Sequence, residues 1–412
     1  MSGGTQSIVK NLRSPDGDGA ARGVTPAGWI GWGGIALGII AFVITLPPFE
    51  VRTAVPSYVI AFIALFMGVV ALRGGERRVG GGAVAAAVFG ALGAFAATRS
   101  GVSNLEVVVS WSALCAAMLR YATPLTFAAL GGLVSERSGV VNIALEGMML
   151  MGAFFGAYGA DKTGSWVGGV IIGVLAGMAL AAIHAVFAIS LRSDQIVVGT
   201  GLNFLALGLT GYMYVDTYGD QGTPDNLPAT PDINLPTEHL GFIGQAIQQL
   251  NLLVWGSLVA VILVWLVIFR TRLGLRLRSV GENPRAAETV GISVYLVRYG
   301  AVISSGGLAA LGGVFLSIGF VHSFSQNMTA GRGFIALAAL IFGRWRPGGL
   351  LAATLLFGFS SALAQRLPAF SPQLATLFQA LPYVLTLIAV AGVVGRSTPP
   401  AADGVPYTRE GK

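Results

Sequence analysis

Apolar residues in this chain do not alternate with polar ones; they run together. Stretches of about twenty apolar positions, enough to cross roughly 30 Å of hydrocarbon as a helix, recur along the whole sequence. We read runs at 28–46, 55–72, 80–98, 104–134, 139–160, 165–191, 195–214, 247–269, 293–320, 331–343, 347–366 and 378–396. The run at 331–343 is short, which predicts a re-entrant or broken helix. The fold class expected is therefore all-α: a polytopic integral membrane protein of about 12 transmembrane helices. Residues 1–26 and 397–412 are polar and are expected to be disordered tails.

The polar positions between runs set an orientation. Basic residues cluster at Lys10, Arg13 and Arg22, at Arg73, Arg77 and Arg78, at Arg192, at Arg344 and Arg346, and through 270–298. If these all face the cytoplasm, both termini lie inside. The connection 215–246 carries Asp216, Asp220, Asp225, Asp232 and Glu238 and no Lys or Arg. It falls outside in this topology, as a docking surface for an external partner or simply as a solvated loop. Its prolines predict an extended, irregular path.

Composition agrees. The chain is 54% hydrophobic and 10% charged, where soluble domains carry about 25% charged residues. The net charge of +7 sits in short loops and does not form a clustered basic face, so nucleic acid is not an expected partner. A single cysteine, Cys115, excludes a disulfide or a cysteine metal site within one chain. No cleavable signal peptide is read at the start. The lysines are Lys10, Lys162 and Lys412, and none stands in a phosphate-binding loop. No zinc-protease pattern or Gly-x-Ser-x-Gly elbow is found, so a membrane enzyme lacks a catalytic constellation. If ATP drives this chain, another subunit must hydrolyse it.

Polar groups embedded in apolar context mark the remaining candidates. They concentrate after residue 104, so 27–100 reads as an accessory module of three spans and 104–396 as the working core. The strongest stretch is Ser135-Glu136-Arg137-Ser138-Gly139-Val140-Val141-Asn142-Ile143-Ala144-Leu145-Glu146-Gly147. Gly139 beside the charged pair suggests a break. Asn142 and Glu146, four apart, are expected on one helix face. They would line a solute path, or Glu146 would bond a neighbouring helix and hold the packing. His184 is expected to bond a neighbouring helix more readily than a metal. Asn203 is a weaker pathway candidate. Gly169, Gly173 and Gly177 read as a helix-packing stripe. The connection 321–333 suits a gate, a half-helix entrance or an ordinary loop.

Between two runs, Asn283 can cap a short helix with Pro284 at its first position, ending near Gly291. That helix is either a basic anchor or a docking element for a cytoplasmic motor. Here the chain resembles ABC importer permeases of the branched-chain amino acid, ribose and nucleoside type. Three further stretches carry the likeness: the segments 121–132, 135–152 and 331–343.

The resemblance covers about 104–396 and is strongest to nucleoside or simple-sugar permeases. It matches Asn142, Glu146 and Gly147 to a broken-helix motif, and these with Asn203 and Phe334 are the expected translocation-pathway residues. It places an ATPase-coupling motif at Gly281, Glu282, Asn283, Pro284, Ala286, Ala287 and Gly291. It also implies a cytoplasmic ABC ATPase that binds ATP and Mg, a second permease and an extracytoplasmic binding lipoprotein, with membrane lipid around the spans. The chain itself would hold no cofactor and would lie in a bacterial cell membrane. A secondary transporter using Glu146 as a proton or cation site is the alternative.

Overall fold

The computed structural model describes residues 25–44, 55–99, 111–366, 379–380 and 398–408. Each of the first eleven apolar runs meets a helix among them. The twelfth, 378–396, lies outside the described residues except for 379–380, as do 1–24 of the N-terminal tail. The described residues fall into two compact units, one ending at Thr98 and one beginning at Arg99.

The first unit holds α1 (Pro26–Val43), α2 (Val55–Arg73) and α3 (Arg77–Arg99). Thr25 caps α1 by accepting the Gly28 N–H at 3.0 Å, with Pro26 in the first turn. Its hydroxyl also donates to Glu76, in the turn between α2 and α3, at 2.7 Å. Small residues let these helices approach closely: a Cβ on Gly38 would lie 2.6 Å from the backbone of Ala86.

The second unit is built on α4 (Trp111–Glu136), α5 (Leu145–Thr163), α6 (Trp166–Ala185) and α7 (Gln195–Tyr218). It continues with α8 (Gly241–Ile247), α9 (Leu252–Arg270), α10 (Arg272–Glu282) and α11 (Pro284–Thr289). It ends with α12 (Val294–Val314), α13 (Arg332–Phe342) and α14 (Pro347–Arg366). Helices α6 and α12 each close with a wide π turn, at Val186–Ser190 and Phe315–Val321. The described residues include seven helices long and apolar enough to cross a membrane. The apolar helices α1, α3 and α13 have shorter apolar stretches.

Helix α12 is central, packed on α4, α5 and α6. Glycines permit this. A Cβ on Gly313 would overlap the Met149 carbonyl of α5, and one on Gly312 would lie 2.7 Å from the Pro124 carbonyl of α4. The stripe Gly169, Gly173 and Gly177 presses α6 onto α5 and α12. A Cβ at Gly169 would sit 2.6 Å from the Gly156 carbonyl, and at Gly177 2.8 Å from the Gly306 carbonyl.

The connection expected to be irregular carries order of its own. Strand β1 (Asp232–Asn234) pairs antiparallel with β2 (Gln249–Asn251), Asp232 opposite Asn251. The buried Asn251 side chain holds the join. It accepts the Thr230 hydroxyl at 2.9 Å and the Leu253 N–H at 3.0 Å, and it donates to the Thr230 carbonyl at 2.9 Å. One asparagine thus both fixes the loop and caps α9. The C-terminal tail differs from expectation too: residues 398–408 pack against the second unit, through contacts given below.

Gly313→Ala is expected to cost about 1–3 kcal/mol, because overpacking a tight helix contact has no relief. Thermal unfolding of the detergent-purified protein checks this. Gly201→Ala, where a Cβ meets open space, serves as control, and equal midpoints for the two variants would refute the packing account.

Candidate functional site

The chain breaks between α4 and α5. Helix α4 closes with turns in which the Ser138 and Gly139 N–H groups bond back to Ser135 and Glu136, each at 2.9 Å. Gly139 then adopts φ +87°, a conformation that suits glycine. From there to Leu145 the backbone is not helical. Inside a bilayer, each unpaired N–H or C=O would cost several kcal/mol.

Side chains from four helices fill that need. Ser135 donates to the Val140 carbonyl at 2.7 Å. Gln195 of α7 accepts the Val141 N–H at 2.8 Å, and the His184 Nε2 of α6 donates to the Val141 carbonyl at 3.1 Å. Asn203 of α7 donates to the Ile143 carbonyl at 2.9 Å and accepts the Gly147 N–H at 2.8 Å. Arg298 of α12 donates to the Ser138 carbonyl at 3.2 Å. Asn142 accepts the Ala144 N–H at 3.1 Å and donates to Ser305 of α12 at 2.9 Å. The expectation that Asn142 and Glu146 share a helix face is thereby corrected. Asn142 lies in the break and turns to α12, because its side chain replaces helical bonding there.

Glu146 lies in the first turn of α5, 8% exposed. Its Oε1 accepts the Gly331 N–H at 2.7 Å and its Oε2 the Gly333 N–H at 2.6 Å. Both donors sit at the N-terminus of α13, where free N–H groups and the helix dipole favour an anion. The eleven residues of α13 span about 16 Å, roughly half the hydrocarbon thickness. This is a half-helix whose positive end is held by a carboxylate. Gly333 permits the contact: a Cβ there would lie 2.5 Å from the Glu146 backbone. Gly147 likewise lets α5 meet α7, with a Cβ only 3.0 Å from the Asn203 Oδ1. Phe334 is half exposed on α13 and does not join the cluster.

The other end of α13 returns to the same break. The Trp345 indole N–H donates to the Glu136 carboxylate at 2.6 Å. The Arg137 guanidinium donates to the Trp345 carbonyl at 2.6 Å. Glu136 and Arg137 therefore hold one end of the half-helix and Glu146 the other.

The end of helix α10 sits against this break, and α11 follows it directly. Thr271 caps α10, accepting the Gly274 N–H at 3.2 Å. Asn283 caps α11, accepting the Ala286 N–H at 3.0 Å, with Pro284 first and Gly291 at φ +81° beyond the end. Gly281 is buried, and a Cβ there would overlap the Arg137 carbonyl. Ala287 also faces inward. Glu282, Asn283, Ala286 and Gly291 are exposed and Pro284 is half-buried. Sequence reasoning missed Gln195, Arg298, Ser305 and Trp345. Gln195 carried a weak signal as a polar residue opening an apolar run. Among the described residues, no three metal-ligating side chains converge.

A family model described as branched-chain amino acid transport system / permease component matches residues 114–390. The chain belongs to this permease family. The permease is 40% identical over 320 residues to the nucleoside ABC transporter permease protein NupC of Lactococcus lactis, covering 75% of this chain and 98% of that one. It is 40% identical over 320 residues to the guanosine ABC transporter permease protein NupQ of Bacillus subtilis, covering 74% and 99%. It is 38% identical over 255 residues to the putative glucose ABC transporter permease protein TsgC13 of Haloferax volcanii, covering 61% and 76%. No solved structure matches it.

Replacing the Glu146 carboxylate tests its hold on α13. Glu146→Gln keeps one acceptor and should retain a large part of the protection of the α13 first-turn amides. Glu146→Ala leaves both N–H groups bare and should lower that protection at least tenfold, since hydrogen bonds to charged groups contribute about 1.5–3 kcal/mol each. Hydrogen exchange of residues 331–335 is the measurement, and identical exchange in wild type and Glu146→Ala would reject the capping role.

Proposed function

We propose that the permease is the membrane subunit of an ATP-driven ABC importer of nucleosides or a related simple sugar. A partner ATPase binds ATP and Mg, a second permease completes the pathway, and an external lipoprotein delivers the solute. The observation that carries this reading is the seating of the α10 end, from which α11 directly follows, on the break that holds both ends of the half-helix α13. It supports an exposed coupling helix in mechanical contact with a broken span. The nucleoside assignment draws on the names of the two relatives aligned over nearly their full length. In this reading the basic face of α10 and α11 is cytoplasmic, both termini lie inside, and transport proceeds by rocking around the break.

Asn142, Glu146, Gly147 and Asn203 serve the pathway here by shaping it: the three side chains accept backbone N–H groups, and Gly147 lets α5 meet α7. Both Glu146 oxygens accept N–H groups, which favours a structural carboxylate over a proton-coupling one.

Reconstitution with the ATPase, second permease and lipoprotein tests the function. ATP-dependent uptake of labelled guanosine, exceeding that of ribose and glucose, is expected. Uptake that follows a proton gradient without ATP would replace this reading with the ion-coupled one. In the same vesicles, Glu282→Ala with Pro284→Gly should lower guanosine uptake at least tenfold while ATP hydrolysis continues. Unchanged uptake would reject the coupling role of α11.

We also infer that the first three helices are accessory. The family match begins at residue 114, and the 320-residue alignments take in nearly all of NupC and NupQ. Deleting residues 1–100 should leave the complex assembled. Loss of ATPase co-purification on deletion would make those helices integral.

A further inference from the structure

We infer that residues 398–408 form a strap that positions the coupling helix α11 and ties it to the break, with Tyr407 and Arg298 as its positioning residues. This rests on the coupling role proposed above for α11.

Helix α11 has six residues. A helix that short does not hold itself in water, so its position depends on what it packs against. Its buried side chain, Ala287, meets Val280, Val294 and Tyr407. Tyr407 is 6% exposed, its hydroxyl donates to the Glu288 carboxylate of α11, and its ring packs edge-on against Tyr295 of α12 at 5.6 Å. One tail residue thus contributes both an apolar wall and a charge-assisted bond to the coupling helix.

The rest of the strap is anchored at the other side of α11. The Ala402 N–H donates to the Gly281 carbonyl at 2.9 Å, and the Ala401 N–H to the Glu282 carboxylate at 3.2 Å. Ala402 is buried, and its carbonyl lies where a Cβ on Gly139 would approach to 3.0 Å. The strap therefore touches the end of α10, the face of α11 and the break itself.

Arg298 joins these parts. It is 1% exposed, and it donates to the Val405 carbonyl of the strap at 3.1 Å and to the Ser138 carbonyl of the break at 3.2 Å. A guanidinium buried this deeply needs a counter-charge. The strap brings Asp403 within electrostatic reach of Arg298, whose charge pulls the carboxyl down while burial, the larger effect, pushes it up to about 7.

The test uses the full complex in vesicles, reading solute imported per ATP hydrolysed, with labelled guanosine as probe. ATPase co-purification is measured in parallel. Removing residues 398–412 should leave assembly and hydrolysis within about twofold and lower guanosine imported per ATP at least fivefold. Tyr407→Ala should do the same. Tyr407→Phe, which keeps the ring and loses the hydroxyl bond, should fall between Tyr407→Ala and wild type. Wild-type ratios in the truncation and in Tyr407→Ala would overturn the strap while leaving the importer intact. If the truncation fails to assemble, a wild-type ratio in Tyr407→Ala still overturns it. Guanosine import by the wild type without ATP hydrolysis would sink the parent reading.

Discussion

Between Val140 and Ile143 the chain lies between two helices and continues neither, so its peptide groups are left outside both helical ladders. The stretch is buried away from water, so the protein must supply donors and acceptors itself. Gln195, His184, Asn203 and Arg298 reach the break from α6, α7 and α12. Asn203 alone of these was a pathway candidate in the sequence, and the polar atoms of all four meet backbone. The requirement converts one irregular stretch into a joint on which several helices converge. It also explains why substitutions far apart in sequence should act at one place.

Glu146 adds a second constraint. A carboxylate inside a membrane is costly, and here it is offset by two backbone donors at 2.6–2.7 Å and the positive end of α13. Each bond to a charged group contributes about 1.5–3 kcal/mol. That is the scale on which a transporter must balance two arrangements of the same helices, since a gap of a few kcal/mol leaves the minor state accessible. An apolar latch of similar size would lack this directionality. The half-helix is therefore held firmly but through contacts that a small displacement can weaken.

Much of this was legible in the sequence. Unbroken apolar runs can hide only in lipid or in a large core, so helix positions followed closely. The span 347–366 meets α14 at both ends. Asn283, Pro284 and Gly291 spelled out a short helix because capping chemistry is local. Other features were not legible, for a common reason. Asn142 stands four residues before Glu146, a helical spacing, but partners on α6, α7 and α12 override the helix. Arg298 belongs to a basic stretch that reads as solvated loop, yet its carbonyl partners at positions 138 and 405 bury it. Trp345 follows the half-helix with φ +50°, and only its partner Glu136, 209 positions away, explains it. Bonds between distant positions leave no periodic trace.

These contacts form a continuous path. The α10 end at Gly281 presses on the Arg137 carbonyl, and the Arg137 guanidinium binds the Trp345 carbonyl. Trp345 reaches Glu136 through its indole and follows directly on the α13 end. From there α13 runs as one rigid helix to Gly331 and Gly333 on Glu146. Close packing transmits displacement rather than absorbing it. A path of contacts is not by itself an energetic coupling; that needs an element with two arrangements. The unwound segment beside Gly139 and the turn at Arg344 and Trp345 are the parts of this path whose backbone is not held by a helical ladder, so they are where a second arrangement has room to form. A push on α10 that shifted Arg137 would load both ends of α13 at once, because Glu136, Arg137 and Glu146 belong to the same broken stretch of chain.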